Sequence, residues 1–306
     1  MRRHILFLMI FFIQLGNFSC SDTCSDTIKP LASVPLVKKG APQPGKRVAC
    51  TEPEYLSTDV HHILYLPVNY NELQKCPIIV EFTGNYYPKL GSTGEVEGAN
   101  LGYSLTLGRD FIWVVLPFIA TNHLGNEKTW WGDIDATTKY TRLCIPRIIK
   151  NYKGDSTKVI LCGFSRGAIG VSYIGLHDDA IAALWSAFFT SDHFDGTKEW
   201  SPWGTPLDKY REEAKMRLLR IKGRPFRICQ DVGLMNGTSE IEKMFQEMAL
   251  IGLSNISYQS VPMDKDFPHI PNKWFLNRHT DLWPIFNTQS GNQARAWIRK
   301  ISGLMQ

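Results

Sequence analysis

Gly163-Phe164-Ser165-Arg166-Gly167 sets a serine midway between two glycines, directly after the apolar run 158–162 and before Ala168-Ile169-Gly170. A serine hydroxyl is a weak nucleophile until a sharp strand-to-helix turn exposes it and a neighbouring base takes its proton. Glycine two positions to either side removes Cβ atoms that would strike the backbone of such a turn. The same turn aims the Arg166 backbone N–H, and the N-terminus of the following helix, at the point where an oxyanion develops. The chemistry this spacing points to is acyl transfer through a serine ester.

Such a serine needs a base and an acid to hold the base, in the chain order serine, acid, histidine. Downstream of Ser165 stand His177, His193, His269 and His279. His279 falls after the last expected strand and before the last helix, from where a base reaches back to the serine. His269, in the same long loop, is the alternative, and His193 a third. His177 sits near the end of the helix after the nucleophile and points away. For the acid, Asp231 closely follows the apolar run 225–229 and is preferred; Asp192, at the end of the preceding strand, is the alternative. Asp264 and Asp266 read as loop charges. A second oxyanion donor is expected from the N–H of Gly84 or Asn85, in Thr83-Gly84-Asn85-Tyr86-Tyr87. Trp130, Trp131 and Tyr86 are candidates for a substrate-binding wall; with Tyr87, Trp200 and Trp203 they could equally pin their loops to the core. No metal-ligand spacing appears, so neither metal nor cofactor is expected. His61 and His62, adjacent on a strand, face opposite sides.

The elements that must position these groups follow from periodicity. Residues 61–66, 77–82, 111–116, 158–162, 181–189, 225–229 and 257–261 are short runs rich in β-branched and aromatic residues, as suits strands buried on both faces. Helical spacing alternates with them: 137–151, which Pro146 should kink or shorten; 211–222, ending at Gly223; a helix opened by the capping box Ser239-Glu240-Ile241-Glu242 and ended at Gly252; and 293–301. Alternation of this kind predicts βαβ units in a mostly parallel sheet with helices on both faces.

With those residues in hand, the chain resembles the α/β-hydrolase superfamily, and most closely a secreted, poorly characterised, esterase-like branch with a Gly-Phe-Ser-Arg-Gly-Ala elbow. Matching segments are 81–85, 97–103, Trp130-Trp131-Gly132-Asp133, the elbow, 174–179 and His279-Thr280-Asp281-Leu282-Trp283. The resemblance spans roughly residues 60–300. It implies a mostly parallel sheet of about eight strands and hydrolysis of carboxylic esters, or related acyl bonds, by serine, histidine and an acid. The stretch Gln230-Asp231-Val232-Gly233 departs from the commoner Gly-x-x-Asp form, which leaves the acid open.

Composition bounds the rest. The chain has 306 residues, 43% hydrophobic, 12% aromatic and 21% charged, with a formal net charge of +5. That excludes intrinsic disorder and collagen-like sequence, and no Lys/Arg block suggests nucleic acid. Met1-Arg2-Arg3-His4, the apolar run 5–13 and Ser19-Cys20-Ser21 have the layout of a signal peptide over 1–21, too short in its apolar part to span a membrane. Its removal lowers the charge to +3. Lipid anchoring at Cys20 is the less favoured alternative. The Pro-rich stretch 22–50 is an expected extended segment, and 51–303 a single α/β-hydrolase domain. Of seven cysteines, Cys162 and Cys229 read as buried, while Cys24, Cys50 and Cys76 are the better disulfide candidates. Asn236 and Asn255 head glycosylation sequons. The expectation is a secreted serine esterase acting on a small-molecule or polymeric ester. A peptidase or amidase with the same triad, or a non-catalytic binding protein on a hydrolase fold, remains open.

Overall fold

The computed structural model describes residues 29–198, 205–250, 255–267 and 279–304. The signal-peptide expectation, Cys20 and Cys24 lie outside the described residues. The strands are β1 (Arg47–Cys50), β2 (His62–Tyr65), β3 (Cys76–Phe82), β4 (Ile112–Leu116), β5 (Gly154–Phe164), β6 (Ala187–Ser191), β7 (Phe226–Asp231) and β8 (Ile256–Val261). The helices are α1 (Leu101–Thr106), α2 (Ile134–Asn151), α3 (Arg166–Tyr173), α4 (Asp179–Ala182), α5 (Leu207–Leu218), α6 (Val232–Met235), α7 (Ser239–Glu247), α8 (Met263–Asp266) and α9 (Gln289–Ile301).

The strands form one sheet in the order β1-β2-β4-β3-β5-β6-β7-β8. β1, β2 and β4 pair antiparallel, and from β4 onward every pairing is parallel. Two apolar layers sandwich it. Leu64, Val80, Val114, Leu161 and Phe188 pack against α2, α3, α5 and α7 on one face. Ile63, Ile79, Trp113, Ile160 and Phe189 pack against α1 and α9 on the other. Burying each of these large side chains stabilises the fold by about 1.5–3 kcal/mol, which is why the central strands tolerate almost no polar residue.

Three local expectations change. The run 181–189 is not one strand: Asp178 accepts from the N–H groups of Ala180 and Ile181, capping α4, and β6 begins only at Ala187. α2 runs through Pro146 to Asn151, so the proline removes a backbone donor without ending the helix. The capping box expected at Ser239 does not form: Thr238 is the residue before α7 and makes no side-chain cap to the backbone, its hydroxyl instead donating to Glu242 at 2.6 Å. The extended lead-in also joins the sheet through β1. Further upstream, the Leu31 N–H donates to the Ile285 carbonyl at 2.9 Å, clasping the lead-in to the segment before α9. Cys162 and Cys229 are buried, and Cys50 and Cys76 are half-buried free thiols rather than a bridge. Among the described residues no helix is long and apolar enough to cross a membrane.

Register places the chemistry. Ser191, the last residue of β6, pairs with Phe164 of β5 and Cys229 of β7. Ser165 and Asp192 therefore leave neighbouring strands at the same level, with Asp231 two residues beyond Cys229 on the next strand.

Candidate active site

The buried strand β5 delivers Ser165 onto a turn with φ 55° and ψ −120°, and α3 starts at the next residue. Positive φ is costly for a residue with a side chain, by roughly 1–3 kcal/mol, and persists where the surroundings over-determine it. Here the constraints are visible. The Ser165 N–H donates to the Ser191 carbonyl at 3.0 Å. A Cβ on Gly167 would overlap the Phe82 carbonyl, and one on Gly163 would overlap the backbone of Gly167. Glycine at both positions lets strand and helix close to that distance.

Nε2 of His279 lies 3.0 Å from Oγ of Ser165. The imidazole packs on Phe164, with ring centroids 4.5 Å apart. On its other side, Nδ1 lies 3.4 Å from Oδ2 of Asp192. Asp192 is itself held: Oδ1 accepts the Asp231 N–H at 2.9 Å, and its own N–H donates to the Cys229 carbonyl. The acid beside the base is thus Asp192, not the preferred Asp231. The Asp231 carboxylate caps α6, its Oδ1 accepting the Gly233 N–H at 2.8 Å, while its backbone N–H supports Asp192. Asp264 and Asp266 lie on α8. His269 lies outside the described residues. His193 lies beside the imidazole that meets the serine, its ring centroid 5.2 Å from that of His279. Burial first, then the neighbouring His279 and Lys198, holds the His193 pKa well below its ordinary value, so it packs there uncharged.

The expected oxyanion donors stand after β3, at Gly84 and Asn85, and at the start of α3, at Arg166. Gly84 sits against the Phe164 ring, so the loop after β3 rests on the elbow. Asn85 braces that loop, its Oδ1 accepting the Trp130 N–H at 2.7 Å and its carbonyl the Ser92 hydroxyl at 2.6 Å. The Arg166 N–H belongs to the first turn of α3 and has no helical acceptor. The Arg166 side chain does something the motif did not reveal. It is fully buried over the Phe118 ring, donating to the Trp130 carbonyl at 2.6 Å and the Gly94 carbonyl at 3.2 Å. Burial pushes its pKa down to about 9. One cation ties two loops to the elbow.

A cavity of about 200 Å³ opens beside His279, lined by glycines and by polar groups that include Thr83, Thr93, Asn100 and Asp281. Tyr86 and Tyr87 are half exposed, and neither they nor Trp130 line it. Trp131 is corrected outright as a wall residue: it is 2% exposed, stacked on Tyr173 at 5.2 Å and edge-on to Phe118 at 5.4 Å. Trp200 and Trp203 lie outside the described residues.

Two carboxylates that sequence reasoning left without a role brace the start of α1 beside this cavity, and of the two Asp281 lines it. Glu81, the one charged residue in β3, accepts the N–H groups of Leu101 and Gly102 and the indole N–H of Trp113, at 2.8–3.0 Å. Asp281 accepts the Asn100 backbone N–H at 2.8 Å and its side-chain amide at 3.1 Å, anchoring the His279 loop to α1. Burial and the proximity of Asp281 push the Glu81 pKa up; burial raises that of Asp281. A carboxylate inside an otherwise apolar strand was the available signal.

No family model matches this sequence, and no curated protein matches it. Solved structures share its fold. An S-formylglutathione hydrolase from Agrobacterium tumefaciens superimposes with a TM-score of 0.52 at 12% identity, over 85% of this chain and 95% of that one. Thermogutta terrifontis esterase 2 phosphorylated by paraoxon gives 0.51 at 11% identity, over 81% and 91%. A thermostable esterase gives 0.49 at 15% identity; this chain covers 62% of its length. With the eight-stranded, mostly parallel sheet, the first two establish the α/β-hydrolase fold.

Proposed function

We propose that the chain is a secreted serine hydrolase that cleaves carboxylic esters through an acyl-enzyme. One observation carries this reading: a strained serine at the mouth of a glycine-flanked elbow, with an imidazole nitrogen 3.0 Å from its Oγ. The hydrolase and esterase names of its fold relatives point the same way.

In the reaction, Ser165 Oγ attacks the acyl carbonyl carbon while Nε2 of His279 takes the hydroxyl proton. The carbonyl oxygen becomes an oxyanion, to which the N–H of Arg166 and of Gly84 or Asn85 donate. Asp192 holds Nδ1 and stabilises the imidazolium. The intermediate then collapses, the bond to the leaving oxygen breaks, and His279 returns its proton to the departing alcohol. Water repeats the cycle: it attacks the acyl-serine, gives a proton to His279 and releases the acid as Ser165 is reprotonated. An alkoxide asks less of the general acid than an amine, which favours esters over amides. The small, hydroxyl- and glycine-lined cavity suits a short acyl group.

The test is labelling by a fluorophosphonate, beside Ser165→Ala and His279→Ala variants. Wild-type labelling lost in Ser165→Ala is expected. A folded wild type that stays unlabelled sinks the enzyme reading, and labelling that survives Ser165→Ala sinks the site. Esters of graded acyl length, set against peptide amides, then decide the bond class. Secretion rests on the basic start and the apolar run 5–13. N-terminal sequencing of chain recovered from medium should begin near Ser21; chain retained in cells with Met1 intact would oppose it.

A further inference from the structure

Cys50, Glu52, His62 and Cys144 come from three separated stretches of chain, so no spacing motif betrays them. The fold brings them together. Cys50 of β1 pairs directly with His62 of β2, so the two side chains leave the sheet on one face. α2 covers that face with Tyr140 and Cys144. Sγ of Cys144 lies 3.6 Å from Nδ1 of His62, and ligand atoms of Glu52, His62 and Cys144 all fall within 4.8 Å of one another. All three residues are buried. A tetrahedral ion with metal–sulfur and metal–nitrogen bonds of roughly 2.3 and 2.0 Å holds those two atoms about 3.5 Å apart. Arg147 donates to Oε2 of Glu52 at 2.7 Å and leaves Oε1 for another partner, the outer-shell support that ligating carboxylates usually have.

We propose that Glu52, His62 and Cys144 form a structural site for a zinc-like transition-metal ion; Cys50, which lies outside that 4.8 Å group, would turn its side chain inward to complete the set as fourth donor. Thiolate and imidazole donors select such an ion over calcium or magnesium. Both cysteines release a proton to solvent on binding. His62 ligates through Nδ1, keeps its proton on Nε2, and gives up its 2.9 Å contact with the Tyr140 hydroxyl. Two thiolates and one carboxylate around a divalent ion leave a single negative charge, which Arg147 offsets. The ion would staple the β1–β2 edge to α2. Sheet order puts β2 three strand spacings from β5, about 14 Å, so the site is independent of Ser165.

The experiment titrates the full chain with Co²⁺ and follows the near-ultraviolet thiolate-to-cobalt charge-transfer band. One equivalent per chain is expected, displaced by Zn²⁺. Cys144→Ser and Cys50→Ser should weaken zinc affinity by about 100-fold or more and diminish the band. Tyr140→Phe, which removes the competitor for Nδ1, and Ser165→Ala should both retain it. If a cysteine variant fails to fold, the wild-type and Tyr140→Phe titrations decide. A wild type without the charge-transfer band, a band unchanged in folded Cys144→Ser, or a Cys50–Cys144 disulfide found by mass mapping overturns the proposal.

Discussion

Asp192 and His279 face each other at 3.4 Å across the carboxyl ends of the sheet, while the other oxygen of Asp192 takes the backbone N–H of Asp231 at 2.9 Å. The carboxylate is fixed at both oxygens. Asp192→Asn should therefore keep the packing and lose the correct imidazole tautomer, lowering kcat/KM by about 10³-fold or more. Asp231→Asn, which can still cap α6, should stay within about tenfold of wild type. Ester hydrolysis by the two variants, compared side by side, decides; the reverse ranking would return the acid to Asp231.

Removing the buried Arg166 cation strands the Trp130 and Gly94 carbonyls. Arg166→Met should cost about 2–4 kcal/mol in denaturant unfolding. Arg166→Lys should rescue little, because a point charge cannot span two carbonyls as a planar fork does. Equal stability of the lysine variant and wild type would contradict this.

Gly167→Ala sets a methyl into the Phe82 carbonyl. Backbone there cannot yield cheaply, and a loss of about 3 kcal/mol is expected, with fluorophosphonate labelling slowed as the elbow shifts. Gly223→Ala makes a useful control, since no atom lies within 4 Å of its would-be Cβ, although its φ of 75° carries its own modest strain.

His193 predicts an acid-side effect. Its folded pKa lies well below the ordinary 6.5, chiefly through burial. Between those two values the unfolded chain binds the extra proton and the folded one does not. Its contribution is thus complete above pH 6.5 and erodes as pH falls toward the lowered folded value, by at most about 1.4 kcal/mol per pH unit. His193→Gln should flatten that part of the stability profile. An unchanged slope below pH 6.5 would count against it.

The elbow was legible because its requirements are local: strand, glycine, serine, glycine and helix occupy one short stretch. His279 was legible from chain order. The choice between Asp192 and Asp231 was not, since each closes one of two neighbouring parallel strands and each is followed by a loop. What separates them is the pairing of Ser191 with both Phe164 and Cys229, together with the positive φ of 53° at Asp192. Neither is written in a window of sequence. Trp131 misled for a related reason: a tryptophan in a loop between Trp130 and Gly132 gives no hint that Tyr173 and Phe118 will enclose it. Glu81 shows the converse, a charge that survives in a buried strand because three donors meet it there.

Ser165 and His279 are 114 residues apart in the chain. The elbow needs only β3, β5, β6 and α3, all upstream of residue 192. The base arrives with the closing segment, which is then latched by the Leu31 N–H on the Ile285 carbonyl. A nascent chain emerging in order would thus complete the serine turn well before anything could arm it. Reactivity would switch on late, once the segments around Leu31 and Ile285 meet.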